Sequence, residues 1–323
     1  MKVLITGGAG FLGRRLAKKL LERGKLTGLD GREQTIDRLV LLDVVPSPPT
    51  SDARVSSFAG DIADPALLER LIDTDTASIF HLAAIVSGQA EADFDLGMRV
   101  NFDATRTLLE ISRARGHRPR VVFASSCAVY GGELPDVVPQ LHELMPQSSY
   151  GTQKAMGELL IKDYTRRGFI DGRSLRLPTI SVRAGKPNAA LSSFASGIIR
   201  EPLNGEAAIC PVGEDLRLWL SSPRRAIESL IALHDVDGDV LGPHRIVNLP
   251  GISVSVAQMV AALRTVAGDA VADRIRFQRD EAIERIVGSW PGAWELTRAH
   301  AMGLAADESF EAIVRAYIED DLH

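Results

Sequence analysis

Cysteine is nearly absent from this chain, with two in 323 residues, Cys127 and Cys210. Two thiols make no disulfide framework and no metal-ligand cluster, so neither a stapled secreted scaffold nor a cysteine metal site is expected. No long basic block occurs and the net charge is −5, which argues against nucleic acid as a partner. No apolar run reaches the length of a membrane span, and the chain enters a strand at once, without a charged-then-apolar leader. Internal repeats and low-complexity segments are missing too. These absences predict a soluble protein of a reducing compartment, cytoplasmic, with no membrane, nucleic acid or metal partner. What is present, 45% hydrophobic and 24% charged residues, is an ordinary globular mixture, long enough for one large domain or two smaller ones.

The first thirteen residues, MKVLITGGAGFLG, organise the rest. Lys2 to Ile5 form a short apolar, β-rich run, and Gly7, Gly10 and Gly13 follow at intervals of three. Leu12, Leu16, Leu20 and Leu21 then fall at helical spacing. A strand that turns through glycines into a helix presents bare backbone N–H groups at the positive end of a helix dipole, a place for a pyrophosphate. Glycines also make ordinary tight turns. Their position between a strand and a helix, at the head of an α/β pattern, is what points to a dinucleotide.

The first half alternates apolar runs with helix-period stretches, which predicts an α/β fold with a parallel sheet and helices on both faces. Its runs are KVLIT, RLVLLDV, VSSFAGD, SIFHLAA, RVVFASS and SLRLPTI. VVPSPPTSDA at 44–53 is a proline-rich loop. After Thr179 the alternation stops. Residues 184–216 are broken by Gly and Pro, PRRAIESLIALHDV reads as an amphipathic helix, HRIVNLP as one more strand, and the stretch from Ser253 onward as mostly helical. The expected division is a nucleotide-binding domain, 1–180 plus 217–250, and a smaller lobe, 181–216 plus 251–323.

An acid at the end of the second strand should hold the ribose hydroxyls. Asp30 in KLTGLDG lies at the usual distance from the glycines, whereas Asp43 ends RLVLLD, a far better strand. Asp43 is favoured, which makes 25–38 an insertion. Either acid selects NAD over NADP, because a carboxylate repels a 2′-phosphate. Gly60-Asp61-Ile62 can meet an adenine, although helix capping by Asp61 or Asp64 explains the acids equally well. His81-Leu82-Ala83-Ala84 ends the fourth strand, where small residues let a cofactor approach; His81 itself reads as a core histidine.

Tyr150 and Lys154, in SSYGTQKAMGE, are spaced i, i+4 and share one helix face. Tyrosine ordinarily titrates near pH ~10, but a nearby ammonium and an oxidised nicotinamide both favour phenolate. Reaching neutral pH takes about three units, roughly 4 kcal/mol. Ser125-Ser126-Cys127-Ala128-Val129-Tyr130-Gly131 ends the fifth strand, and a serine there can hydrogen-bond the reacting oxygen while Tyr150 exchanges its proton. Cys127 reads as packing and Tyr130 as structural.

T-G-x-x-G-x-x-G, G-D-I, H-L-A-A, S-S-x-x-x-Y-G and Y-x-x-x-K, in this order and spacing, resemble the extended short-chain dehydrogenase/reductase superfamily, which includes NAD-dependent sugar-nucleotide epimerases and dehydratases. The resemblance spans most of residues 1–250. It implies a Rossmann-type doubly wound sheet with bound NAD, Tyr150 as acid/base, Lys154 on the nicotinamide ribose and Ser126 as third catalytic residue, with Ser125 the alternative. It assigns to the cofactor Gly7, Gly10, Phe11, Leu12, Gly13, Asp43, Asp61, Ile62, Leu82, Ala83, Ala84, Asn101, Tyr150, Lys154, Pro178 and Thr179. Asn101 matches the asparagine that supports the lysine. It further implies a homodimer, built as a four-helix bundle from helices near 94–115 and 150–167.

The chain departs from the sugar-nucleotide branch in two places. Where that branch carries R-D-Y-x-H-V, this chain reads Arg217-Leu-Trp-Leu-Ser-Ser-Pro, and its R-x-x-N-x-Y-G-P is replaced by a string running from Arg176 to Asn188. The insertion before RLVLLDVVP, the string LRLPTISVR-GKPN-A-SSFASGIIREPLNG and the late SWPGAW are instead similar to the D-erythronate dehydrogenase group, whose members oxidise a four-carbon sugar acid at C2 with NAD. A small anionic polyol suits the residues present. Arg183 and Arg217 can offer a bidentate fork to a carboxylate, unless they serve structural ion pairs. Asn188, Ser192 and Ser193 offer partners to hydroxyls, alongside Ser126 and Tyr150. Trp290 and Trp294 read as a buried core cluster rather than a roof over the pocket.

Overall fold

Val3, Leu4 and Ile5 are fully buried, as an apolar β-rich run must be when both faces of its sheet are covered. In the computed structural model, which describes residues 1–186 and 189–322, that run is the strand Lys2–Thr6, an interior strand of a seven-stranded sheet. Across the sheet the order is Ile246–Asn248, Asp171–Leu177, Arg120–Ser126, Thr76–His81, Lys2–Thr6, Arg38–Asp43 and Val55–Ala59. Every neighbouring pair is parallel. The chain builds outward on one side of Lys2–Thr6 and then crosses to build on the other. The crevice between Lys2–Thr6 and Thr76–His81 is therefore the switch point, where open α/β sheets take ligands at their carboxyl ends.

Alternation along the central strand assigns its side chains to two layers. Val3 and Ile5 pack with Leu16 and Leu20 of the helix Phe11–Arg23 and with Ile227 and Leu230 of the helix Pro223–Asp235. Leu4 faces the other way, with Val40 and Leu42, onto Leu68, Leu108 and Ile161. Each such buried side chain contributes on the order of 2 kcal/mol. The fully buried Arg173 fixes the helix Pro223–Asp235 in place by donating to the carbonyls of Leu233, His234 and Val236. Its charge is met by Asp171 and by the negative end of that helix.

Residues 25–38 form a small hairpin, Lys25–Thr27 against Glu33–Thr35, before the chain enters the sheet at Arg38. The run SLRLPTI does not stay in one sheet. Pro178 has no N–H for a ladder, and beyond it Thr179–Ile180 leave the main sheet to pair with Arg217–Ser221. That strand pairs in turn with Ile252–Ser255. Leu218, Trp219 and Leu220 therefore pack in one core with Phe194, Ile198, Met259, Leu263 and Phe310, a core that Cys127 to Tyr130 and Val138 also join. Residues 184–216 are also more regular than their Gly and Pro content suggests, because they carry the helix Phe194–Leu203 and the strand Ala208–Cys210. Among the described residues no helix is long and apolar enough to cross a membrane.

Candidate active site in a cleft at the strand ends

The helix Phe11–Arg23 begins at Gly10, which has no side chain to cap it. Gly10 N–H is turned back to Gly7 O, and the N–H groups that follow are left for a ligand. The glycines are required by close approach. Gly7 has φ +74°, and a Cβ on it would lie 2.9 Å from Ala83 N. A Cβ on Gly13 would fall 2.0 Å from Gly7 O. Asp43, at the end of the neighbouring strand, accepts from Ala9 N at 3.0 Å and Gly10 N at 3.1 Å, so one carboxylate braces the glycine turn. Asp30 sits at the exposed tip of the hairpin, accepting from Arg32 N and Gln34 Nε2, away from the cleft.

A cavity of about 500 Å³ runs along these strand ends. Its walls include Gly7, Gly10, Phe11, Leu12, Gly13, Asp43, Asp61, Ile62, Leu82, Ala83, Ala84, Ser126, Tyr150, Lys154, Pro178, Thr179, Arg183 and Ser192. Asp61 bonds Ala63 N and pairs with Arg99, a wall residue without a motif of its own, while Asp64 caps the helix Pro65–Leu71. His81 is a bridge inside the protein, between Thr6 and Thr105. Thr105 Oγ1 donates to Asn101 O, so it accepts from His81 Nε2–H, and Nδ1 accepts from Thr6. Burial holds His81 down at about 3, a neutral ring at every pH of interest.

Ser148 caps the helix Ser149–Arg166 and sets Tyr150 in its first turn. Lys154, one turn on and buried, donates from Nζ to Ala124 O at 2.8 Å and lies over the rings of Phe123 and Tyr150. Ser126 ends the strand Arg120–Ser126, where its Oγ accepts from Ala128 N at 3.1 Å and its O–H makes a long contact with Cys127 Sγ at 4.0 Å. Ser125 points elsewhere, donating to the buried Glu158, which Arg176 holds with two hydrogen bonds. Burial here opposes the phenolate that the ammonium and an oxidised nicotinamide favour. Burial pushes the Tyr150 phenol up to about 12, with Cys127 adding to the rise, while Ser126 and the Arg183 guanidinium pull it back. The same burial pushes Lys154 down to about 7, against the Glu158 carboxylate, which acts to raise it.

Residues 3–223 match the NAD dependent epimerase/dehydratase family. The chain belongs to that family. A D-erythronate dehydrogenase of Cupriavidus necator is 62% identical over 320 residues, covering 99% of this chain and 98% of the relative. Another, of Haemophilus influenzae, is 49% identical over 323 residues and spans the full length of both. A crystal structure described as a nucleoside-diphosphate-sugar epimerase from Agrobacterium tumefaciens superposes with a TM-score of 0.92 at 43% identity, covering 100% of this chain and 94% of that one. With two full-length dehydrogenase relatives at these identities, this family member is an NAD-dependent dehydrogenase. The cradle suits NAD: its glycine turn has no room for a Cβ at Gly7 or Gly13, and a carboxylate stands beside it at the strand end.

The substrate side of this family member's cavity separates residues that look alike in sequence. Arg183 is a half-buried wall residue whose backbone is fixed by Ser196 Oγ and Arg200 Nη1, while its guanidinium bonds no described residue. Arg217 is not among the wall residues of this cavity. It starts the strand paired to Ile252–Ser255, and its exposed side chain folds along that neighbour, donating to Ser253 Oγ and Ser253 O, outside the cavity. Asn101 also stands behind the wall, in a π-helical turn at Met98–Asp103. It clasps Ile85 and Gln153 rather than Lys154. Ser193 lies behind Ser192, and Asn188 falls outside the described residues. The tryptophans divide. Trp294 is core, between Trp219 and Tyr130, whereas Trp290 reaches the cavity wall. Among the described residues no cluster of His, Cys, Asp and Glu is placed to hold a metal.

Proposed function

We propose that the protein oxidises a small sugar acid at its C2 hydroxyl, D-erythronate to 2-dehydro-D-erythronate being the reaction its full-length relatives favour. The observation that carries the reading is the guanidinium of Arg183, which bonds no described residue and is half-buried in the wall that also carries the Tyr150 phenol. A carboxylate held there as a charge-assisted pair leaves its neighbouring C2 hydroxyl to Ser126 and Tyr150. Ser126 turns its O–H from the weak Cys127 Sγ contact to donate to the substrate oxygen. Tyr150, as phenolate, removes the hydroxyl proton as C2 becomes a carbonyl carbon. Bound NAD⁺ supplies the hydride acceptor and a positive ring charge. Arg183 therefore has two duties, gripping the acid and opposing the burial that holds the phenol high. Lys154 and Asp43 hold the two riboses, and the Gly7–Gly13 turn holds the pyrophosphate.

The same reading includes a cytoplasmic homodimer formed through Ala104–Arg115 and Ser149–Arg166, helices of which the second presents Leu159 at 62% exposure. The test is NADH formation by the purified protein across aldonates, uronates and, without added NAD, UDP-sugars. NADH with a short aldonate supports the reading. Product from a UDP-sugar with no net NADH would replace it with an epimerase.

A further inference from the structure

We infer that Trp290 is the end wall of the substrate pocket and sets the length of the acid it admits, its indole N–H meeting a hydroxyl at the far end of the chain. The inference rests on the sugar-acid reading above. Trp290 lines the same cavity as Tyr150, Arg183 and Ser192, and it comes from a segment that is firmly strapped. Val138 N donates to Ala293 O and Glu295 N donates to Val138 O, both at 2.9 Å. Trp294 is wedged between Trp219 and Tyr130, with ring centroids 5.9 and 6.1 Å away. The helix Glu281–Gly288, which leads into Trp290, packs on the turn Leu191–Ser193 that carries Ser192. A side chain held in this way is a wall and not a lid.

The indole N–H of Trp290 donates to no described residue and stays open to water, whereas that of Trp294 is buried without a partner among the described residues. A substrate that fills the cleft takes the place of that water, and one of its hydroxyls supplies the acceptor a Trp N–H needs when it leaves water. The flat apolar face suits the C–H groups of a polyol. With the carboxylate on Arg183 and C2 at Tyr150, the room left before the indole fixes how many carbons follow.

The experiment compares kcat and KM for four-, five- and six-carbon aldonates in wild type, Trp290→Ala and Trp290→Phe, with melting temperature and NAD binding measured alongside. Trp290→Ala should raise the six-carbon to four-carbon ratio of kcat/KM about tenfold or more. Trp290→Phe keeps most of the wall and loses the donor, so it should raise KM for the four-carbon acid about tenfold with kcat little changed, and, unlike Trp290→Ala, it should not raise kcat/KM for the six-carbon acid. If the alanine variant does not fold, Trp290→Leu keeps apolar volume in the core while shortening the wall, and gives the same readout. An unchanged chain-length ratio in a folded variant, beside normal wild-type turnover, overturns the role of Trp290 alone. No NADH from wild type with any acid overturns the sugar-acid reading and this inference with it.

Discussion

The two ends of the cleft are built on different principles. The cofactor end is made mostly of backbone: glycine N–H groups, the small residues Leu82 to Ala84, and a carboxylate whose place follows from the pairing of Arg38–Asp43 with Lys2–Thr6. The end to which the proposed substrate is assigned is made of single side chains, Arg183, Ser192 and Trp290, brought together through tertiary packing. A strand-end site is as rigid as its sheet and tolerates few changes. A site of strapped side chains can be altered one residue at a time. The contrast predicts where specificity can change while cofactor binding is kept.

The largest effect is expected where the two ends meet. Tyr150→Phe removes the only acid/base group of the proposed reaction and should lower kcat by about a thousandfold or more, with NAD affinity nearly intact. Retention of most activity would break the proposed mechanism. Next, Arg183→Met should lower kcat/KM for the acid roughly a hundredfold, about 3 kcal/mol, while Arg217→Met stays within about twofold. Equal losses in both would mean that the two arginines are not separated as described. Smaller again, Asp43→Asn should raise KM for NAD about tenfold, because it weakens both the brace on Ala9 and Gly10 and a ribose contact, whereas Asp30→Asn should leave it unchanged. The reverse ranking would put the ribose on the hairpin.

The smallest effect is on stability. Burial lowers Lys154 in the folded protein to about 7, so between there and its ordinary value the unfolded chain binds a proton that the folded chain does not, and wild-type stability rises with pH across that interval. At and below pH ~7 the buried ammonium is a full cost. Lys154→Met should therefore melt a few degrees higher than wild type near pH ~6, with the advantage shrinking as pH rises toward ~10. A pH-independent difference would show that the lysine titrates normally.

The contrast between the two ends also explains what can be read from the chain. Glycine spacing, the strand end at Asp43 and the Tyr150–Lys154 pair are local patterns, fixed by one turn or one strand, and the structure brings them to one cleft. Arg183 and Arg217 carry no such mark. One faces the cavity because its backbone is pinned by Ser196 and Arg200, the other lies along a partner strand 36 residues away in sequence. Trp290 and Trp294 share one short motif and still go to wall and core, a division decided by Val138, Tyr130 and Trp219. The height of the Tyr150 phenol is equally unmarked in sequence, since the dryness that pushes it upward depends on every segment around it.

The passage of the chain through Pro178 has a consequence for how such proteins can be recombined. Asp171–Leu177 lies in the main sheet, Thr179–Ile180 in the small one, and Leu177 to Ile180 are also wall of the cleft. Ser181 N bonds Ser221 O just beyond, so the join is sealed on its far side as well. No slack linker separates the two sheets at this point. A chimera that exchanged the second lobe for a relative's, to import a new specificity, would have to match both sheets at once. Crossovers at this strand should give misfolded hybrids, whereas exchanges confined to single wall positions leave the join untouched.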